Sequence, residues 1–521
     1  MNAADVLVKV LENNGCKYIF GIPGEENLEI LESIQKSSIK FILTRHEQAA
    51  GFMAATVGRL TGSPGVCLST LGPGATNLVT AVAYSQLGAM PVLFITGQKP
   101  SELGKQGNFQ IINTVEMMKP ITKFSKQINF ASSISLDVSN AIKICKDERP
   151  GAVHLELPED IASNEVIDPF FLSESNLRRP IAEDKAIDMA IKLIEEATKP
   201  VLLIGAGANR KRISKTLTEF VNKTNIPFFT TQMGKGVIDE RHPQYLGTAA
   251  LSENDLVHEY IKDADLIINV GHDTVEKPPF IMDPKNEKLK VIHINFTQTE
   301  ANQIYFPHLE VIGDIANAVW QITEKINVEK RQNDFKLVKN DKDKTPLDKI
   351  ILAIRTAIGE DGILTLDNGL YKIKVSRDYP CYKPNTLLLD NALATMGAGL
   401  PSAIASKLVN PDSNVITLCG DGGFMMNSQE LETAMRLKLD LIVIILKDNE
   451  LGMIKWKQKR KGYIDFGLNF NNPDFVKYAE SYGAKGHDVK DVDNLDEKIN
   501  ECQKLGGVHL ININFNYQNE N

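Results

Sequence analysis

The chain has 521 residues, with 58 basic side chains against 66 acidic ones, and its net charge of −8 is spread along its length. That length makes about three domains of ~150 residues each, and the even charge excludes nucleic acid or an anionic membrane as the main partner. No apolar run approaches the ~20 residues of a spanning helix. The six cysteines (Cys16, Cys67, Cys145, Cys381, Cys419 and Cys502) are far apart and form no C-x-x-C pair, so they read as reduced thiols of a cytoplasmic protein without a structural metal site.

The first element, MNAADVLVKVLENNG, has the pattern of an amphipathic helix rather than a signal peptide. Short apolar runs then alternate with helical periodicity. They are VCLST, PVLFITG and AVHLELP early in the chain, PVLLIGAG, DLIINVG and KVIHINF in the middle, and GILTLD, NVITLCG, LIVIILK and HLINI late. Strands alternating with helices predict an α/β protein built of parallel sheets flanked by helices. Two stretches break the pattern: LPEDIASNEVIDPFFLSESNLRRP (157–180), rich in turn residues and prolines, and NVEKRQNDFKLVKNDKDKTP (327–346), charged and without an apolar stripe. Read as linkers, they leave three domains at 1–165, 180–325 and 345–515.

In the middle domain, PVLLIGAGANRKR holds Gly205 and Gly207 but has Arg210 at the third glycine position of a dinucleotide fingerprint. A glycine pair of this kind usually reflects close packing of a strand on a helix, which weakens a nucleotide-binding reading. In the last domain, VITLCGDGGFMMNSQELETAM runs a buried strand into Gly-Asp-Gly-Gly and then a helix. Asn427 and Glu430 have capping-box spacing, and Leu431, Ala434, Met435 and Leu437 form the apolar face. A helix N-terminus at such a turn suits a phosphate, and Gly422 and Gly423 let it approach the backbone. Asp421 would repel that phosphate unless a hard, oxygen-liganded cation such as Mg2+ lay between them. The next strand, LDLIVIILK, ends in Asp-Asn-Glu, which brings Asp448 or Asn449 to the same carboxyl edge as a further oxygen ligand.

GDGGFMMNSQELETAMRLKLDLIVIILKDNE resembles the diphosphate-and-metal motif of thiamine diphosphate enzymes. The family's second side-chain ligand falls 27 residues after the motif aspartate, and 421 + 27 = 448. The resemblance thus implies a metal site of Asp421, Asp448 and the Glu450 carbonyl, with Asn449 in reserve, and a cofactor cradle of Gly420, Gly422, Gly423, Asn449 and Met453. FILTRHEQAAGFMAATVGRLTGSPGVCLSTLGPGATNLVTAV resembles the first domain of acetolactate synthases, with Glu47 at the position that activates the aminopyrimidine. FQIINTVEMMKPITKFS carries Phe109 and Gln110 where the family lines its substrate side, and ATMGAGLPSAIA places Met396 between the cofactor's two rings.

A member of this family is expected to decarboxylate pyruvate and join the two-carbon fragment to a second 2-oxo acid, giving 2-acetolactate. Glu47 and Asp421 would then meet across the subunit interface of a homodimer or homotetramer. All nine histidines are isolated in sequence, unlike the paired histidines of simple pyruvate decarboxylases, and Glu47 argues against glyoxylate carboligases. The chain departs from biosynthetic members in several places. Glu25 and Glu26 replace small residues, and Leu370 and Tyr371 stand in for Gln-His. Lys457 falls at the specificity tryptophan, with Trp456 one place early, and INFNYQNEN stops short of a C-terminal arm. LIINVGHDTVEKPPFIMDP, with His272 and Asp273 read as ordinary loop residues, is closer to the flavin-free catabolic branch, so FAD is expected to be absent. The alternatives are another thiamine diphosphate-dependent 2-oxo acid decarboxylase or lyase, and a cofactor-binding homologue without carboligase activity.

Overall fold

The computed structural model describes residues 1–102, 107–172, 179–272, 274–276, 282, 285–300, 305–327, 331 and 345–517. The opening helix is present at Ala3–Asn13, and its apolar face is buried. All ten apolar runs read as strands are strands, and they belong to three six-stranded parallel sheets flanked by helices.

The first sheet contains β1 (Tyr18–Gly21), β2 (Lys40–Leu43), β3 (Gly65–Ser69), β4 (Val92–Gln98), β5 (Phe124–Gln127) and β6 (Ala152–Pro158), in the order β2-β1-β3-β4-β6-β5. The middle sheet contains β7 (Pro200–Ile204), β8 (Phe228–Thr231), β9 (Tyr245–Ala249), β10 (Leu266–Val270), β11 (Lys290–Asn295) and β12 (Leu309–Ile312), in the order β12-β11-β10-β7-β8-β9. This is the 3-2-1-4-5-6 arrangement of doubly wound nucleotide-binding sheets. The third contains β13 (Ile363–Leu366), β14 (Leu387–Leu388), β15 (Val415–Gly420), β16 (Leu441–Lys447), β17 (Lys485–Val489) and β18 (Val508–Asn514), in the order β14-β13-β15-β16-β18-β17. Counted from its own first strand, the third sheet repeats the order of the first.

The two sheets of like topology share a core. The helix Glu47–Thr61, which follows β2, packs on the helix Gly399–Val409, which follows β14, and Thr56 Oγ1 donates to Ser402 Oγ across the contact at 3.1 Å. Phe52, Phe94 and Cys67 from one side and Ile404, Val415 and Val443 from the other lie in one continuous buried cluster. At ~1.5–3 kcal/mol for each large apolar side chain buried, this cluster fixes how the two carboxyl edges sit relative to each other. The middle sheet has apolar clusters of its own on both faces. It is tied to the third sheet's domain by Met233, which lies in that domain's apolar cluster, and by a buried polar contact: Glu240, paired with Lys235 at 2.9 Å, accepts from Cys381 N–H at 2.9 Å.

Candidate cofactor and active site

β15 is buried along almost its whole length and ends at Gly420, and a short helix, Asp421–Met426, begins immediately. The Asp421 carboxylate is 1% exposed. It accepts from its neighbour Gly422 N–H at 2.8 Å, from Asn449 N–H at 2.7 Å and from Asn472 Nδ2 at 2.7 Å. Asp448 leaves the adjacent β16 so that its carboxyl lies within hydrogen-bonding reach of Asp421. Burial, and next the negative charge of Asp421, push Asp448 up to about 7. A buried and a half-buried carboxyl side by side are a donor set for a hard divalent ion, whose charge would relieve their repulsion.

The segment after Asp448 is held by backbone. Asn449 has a φ of +60°. Its carbonyl accepts from Phe470 N–H at 3.1 Å, and Leu451 N–H donates to Leu468 O at 3.1 Å, which brackets Glu450 in an antiparallel bridge with Asn469. The Glu450 side chain turns to Lys455 at 2.7 Å, leaving its carboxylate out of any metal shell. A Cβ on Gly452 would stand 3.1 Å from Asp448 Oδ2, and half-buried Met453 follows on the helix Gly452–Arg460. Trp456, on the same helix, lies under the Arg460 guanidinium at 4.8 Å.

Gly423 leaves no room for a side chain, and Gly422 little. A Cβ on Gly422 would lie 3.2 Å from Phe470 Cζ and 3.5 Å from Met396 Cε, so this glycine keeps a cradle open beside the Met396 side chain. A Cβ on Gly423 would be 2.9 Å from Asp367 Cγ. Asp367 is 2% exposed and raised to about 6 by burial. It accepts from the N–H groups of Asn368 (2.6 Å), Gly397 (2.9 Å) and Gly399 (3.2 Å), and so fixes the loop that carries Met396. Tyr371 is fully buried; its hydroxyl donates to the Asp367 carbonyl at 2.9 Å and accepts from Gly420 N–H at 3.2 Å. It underpins the Gly-Asp-Gly turn.

In the first sheet, His46 caps the helix that Glu47 begins. The Glu47 carboxylate is 8% exposed and accepts from Asn77 Nδ2 at 2.9 Å, on the helix after β3. Gly72 precedes that helix at φ +48°, and a Cβ there would meet Gln110 O at 2.7 Å, which brings Gln110 to the same edge. Phe109 beside it is 62% exposed. Glu26 is buried against Lys99 at 2.6 Å and accepts from Thr70 Oγ1, whereas Glu25 is mostly exposed. The sequence offered no signal for Asn77, Asn472 or Asp367. Each is an ordinary polar residue far along the chain from the group it orients.

Two expectations need correction. Asn427 and Glu430 do not form a capping box, because both side chains are drawn to the first domain and its neighbours. Asn427 Nδ2 donates to Gly397 O at 2.8 Å and to Gln48 Oε1 at 3.1 Å, while Glu430 accepts from Arg45 N–H at 2.9 Å. The helix Glu430–Arg436 has no side-chain cap. The histidines are not all isolated in space either, since His487 and His509 stack, although neither is near the Asp421 turn.

At the carboxyl edge of the middle sheet, a Cβ on Gly205 would lie 2.4 Å from His272, and one on Gly207 would lie 2.8 Å from Gly271 O, so the glycine pair serves loop-on-loop packing. The donors a diphosphate would use there are taken by the chain itself. Glu276, 2% exposed, accepts from Ala206 N–H (3.1 Å), Met233 N–H (3.1 Å) and Thr231 Oγ1 (2.9 Å). Arg210 is paired with Glu148. Among the described residues, these donors at the glycine loop are therefore occupied by side chains of the chain itself. Asp273 lies outside the described residues. An open cleft of about 1230 Å³ separates this edge from the amino-terminal ends of the other two sheets, away from Glu47 and Asp421.

Comparison with known proteins agrees with this geometry. Residues 1–117 match the N-terminal thiamine pyrophosphate-binding domain of thiamine pyrophosphate enzymes, 187–322 their central domain and 367–513 their C-terminal thiamine pyrophosphate-binding domain. The acetolactate synthase of Bacillus subtilis (strain 168) is 31% identical, over 99% of this chain and 93% of its own. A probable acetolactate synthase large subunit of Methanococcus aeolicus is 32% identical over 98% and 92%, and a catabolic acetolactate synthase of Raoultella terrigena 30% over 99% and 95%. The chain belongs to the acetolactate synthase family of thiamine diphosphate-dependent enzymes. Among the described residues, no helix is long and apolar enough to cross a membrane.

Proposed function

We propose that this protein is a cytoplasmic carboligase that decarboxylates pyruvate and condenses the two-carbon fragment with a second 2-oxo acid to give 2-acetolactate, using thiamine diphosphate and Mg2+ without flavin. The observation that carries the reading is that two sheets of identical strand order bear, at their carboxyl edges, Glu47 held by Asn77 on one and the adjoining Asp421 and Asp448 carboxyls on the other, half-sites of the kind that meet across a subunit interface. When bound, thiamine diphosphate supplies a thiazolium carbon that accepts the electrons released by decarboxylation.

In this reading Asp421, Asp448 and the Glu450 carbonyl hold the metal, and Gly420, Gly422, Gly423, Asn449 and Met453 line the diphosphate. Met396, on the loop anchored by Asp367, would pack against the cofactor when it is bound. Glu47, a buried carboxyl oriented by the Asn77 amide, would hydrogen-bond to the pyrimidine ring of the bound cofactor. Phe109 and Gln110 face the 2-oxo acid. One chain leaves Phe109, Met426, Ile464 and Phe466 more than half exposed, at 62%, 53%, 89% and 85%, which favours a homodimer or homotetramer whose partner covers the site and excludes water. The occupancy of the middle sheet's donors by Glu276 supports the flavin-free assignment. The test is incubation of purified protein with pyruvate, thiamine diphosphate and Mg2+. Acetolactate is expected; acetaldehyde alone would make it a simple decarboxylase, and no product would remove the catalytic reading. A stoichiometric flavin absorption band in natively purified protein would overturn the flavin-free part.

A further inference from the structure

Far from the cofactor edge, the outer side of the third sheet gathers three metal-ligating side chains that play no part in the function above. His487 lies on the edge strand β17, His509 near the start of β18, and Cys502 on the helix Leu495–Leu505. A ring nitrogen of each histidine and the Cys502 Sγ all lie within 4.8 Å of one another. His509 is fully buried, Cys502 is 1% exposed and His487 is half-buried, so the cluster opens to solvent on one side only.

The hydrogen bonds fix which nitrogen can bind. His509 Nε2 lies 3.1 Å from the Gly506 carbonyl, which can only accept, so the proton is on Nε2 and the Nδ1 lone pair faces the cluster. That Nδ1 is 3.0 Å from His487 Nε2, and the rings stack with centroids 5.3 Å apart at 10°. An imidazole that donates its far N–H to a backbone carbonyl while its near lone pair points at other ligands is the arrangement of metal-bound histidines. Burial lowers the pKa of both rings, which leaves them neutral, as ligation requires.

We propose that His487 Nε2, His509 Nδ1 and Cys502 Sγ form a site for one divalent transition-metal ion of the zinc class, with a solvent molecule as fourth ligand. Tetrahedral bonds of about 2.0–2.3 Å place ligand atoms roughly 3.3–3.8 Å apart, so the 3.0 Å nitrogen contact has to open by a few tenths of an ångström and the sulfur, within 4.8 Å of both nitrogens, to close by at most about 1 Å. Two imidazoles and a thiolate select Zn2+ over Mg2+, and the oxygen set at Asp421 and Asp448 selects the reverse, so the two sites do not compete. His509 stands five residues before Asn514, which pairs in register with Lys447 at the cofactor edge, a separation of about 16 Å along the strand. Lys485 and Lys498 flank the cluster, and Glu501, paired with Lys498, offsets part of their charge. The ion would clip edge strand β17 to β18 and to the terminal helix. Binding would convert the Cys502 thiol, pushed up to about 11 by burial, to thiolate with release of one proton.

The test uses the full-length protein, stripped with chelator, reloaded with Mg2+ and thiamine diphosphate, and titrated with Co2+. The expected result is a near-ultraviolet sulfur-to-cobalt charge-transfer band that saturates at one ion per chain and is displaced by Zn2+. Cys502→Ser is expected to abolish the band while leaving the far-ultraviolet circular dichroism unchanged. His487→Ala, on the half-buried edge, is expected to weaken Co2+ binding on the order of 10-fold or more. Oxygen ligands cannot give a sulfur band, so the readout is independent of the Asp421 site. Absence of the band in the parent, or its survival in Cys502→Ser or undiminished affinity in His487→Ala, would overturn the proposal.

Discussion

The first and third sheets have the same strand order and pack equivalent helices against each other, yet their carboxyl edges carry opposite chemistry. After its second strand, the first sheet presents Glu47, and the loop after its third strand, Thr70–Gly72, contains no carboxylate. After its second strand, the third sheet presents the Met396 loop, and the loops after its third and fourth strands present Asp421 and Asp448. On the proposed reading, one scaffold used twice makes two half-sites, one for the organic ring and one for the metal and diphosphate. Strand order sets where a loop emerges, and a few loop residues set what it does. The middle sheet, with its different order, offers a third edge whose donors are satisfied by Glu276, the chain's own carboxylate.

The largest test breaks the first half-site alone. Glu47→Gln keeps the Asn77 contact geometry but removes the titratable proton, so cofactor is expected to bind normally while deuterium exchange at the thiazolium C2 slows about 10²–10⁴-fold. Unchanged exchange would assign activation to another group. Asp421→Ala breaks the other half: Mg2+-dependent cofactor affinity, measured by calorimetry, is expected to fall about 100-fold with C2 exchange unaffected in whatever complex remains. Equal affinities for parent and variant would remove Asp421 from the metal shell.

A pH titration sharpens the distinction. The Asp448 pKa is raised to about 7 in the metal-free protein, so below that value a proton occupies the carboxyl and competes with the ion. Mg2+ affinity is expected to climb by up to about tenfold per unit as pH rises to about 7, and to level off above it. Asp448→Asn should abolish the slope, and a flat profile in the parent would contradict the paired-carboxyl account. The smallest effect is expected at Asn472, which donates to Asp421 and to Asn449 Oδ1 at 3.0 Å. Asn472→Ala removes a hydrogen bond to a charged group of about 1.5–3 kcal/mol, part of which water recovers, so cofactor affinity is expected to drop by about tenfold or less, with kcat nearly unchanged.

Much of this molecule was legible without coordinates. Interior parallel strands are buried on both faces, so β3, β4, β6, β7, β10, β11, β13, β15, β16 and β18 are continuous apolar runs that stand out in the sequence. The eight strands not seen there are the six edge strands, β2, β5, β9, β12, β14 and β17, together with four-residue β1 and β8. An edge strand is wetted along one side and needs no such run. The Gly-Asp-Gly turn was likewise readable as a strand running into a helix N-terminus, with Asp448 emerging beside Asp421 from the next strand.

Tertiary structure alone decided the rest. Asn427 and Glu430 are spaced to cap a helix, but Gly397, Gln48 and the Arg45 backbone, distant in sequence, offer buried partners that a solvent-facing cap does not. Asn77 and Asn472 are ordinary polar residues until folding sets them against Glu47 and Asp421. His487, Cys502 and His509 do not stand out in sequence because a helix separates the two histidines, and only the parallel pairing of β17 with β18 brings their ligand atoms together. Sequence periodicity reports which face of an element is dry; which polar groups meet is set by how the elements pack.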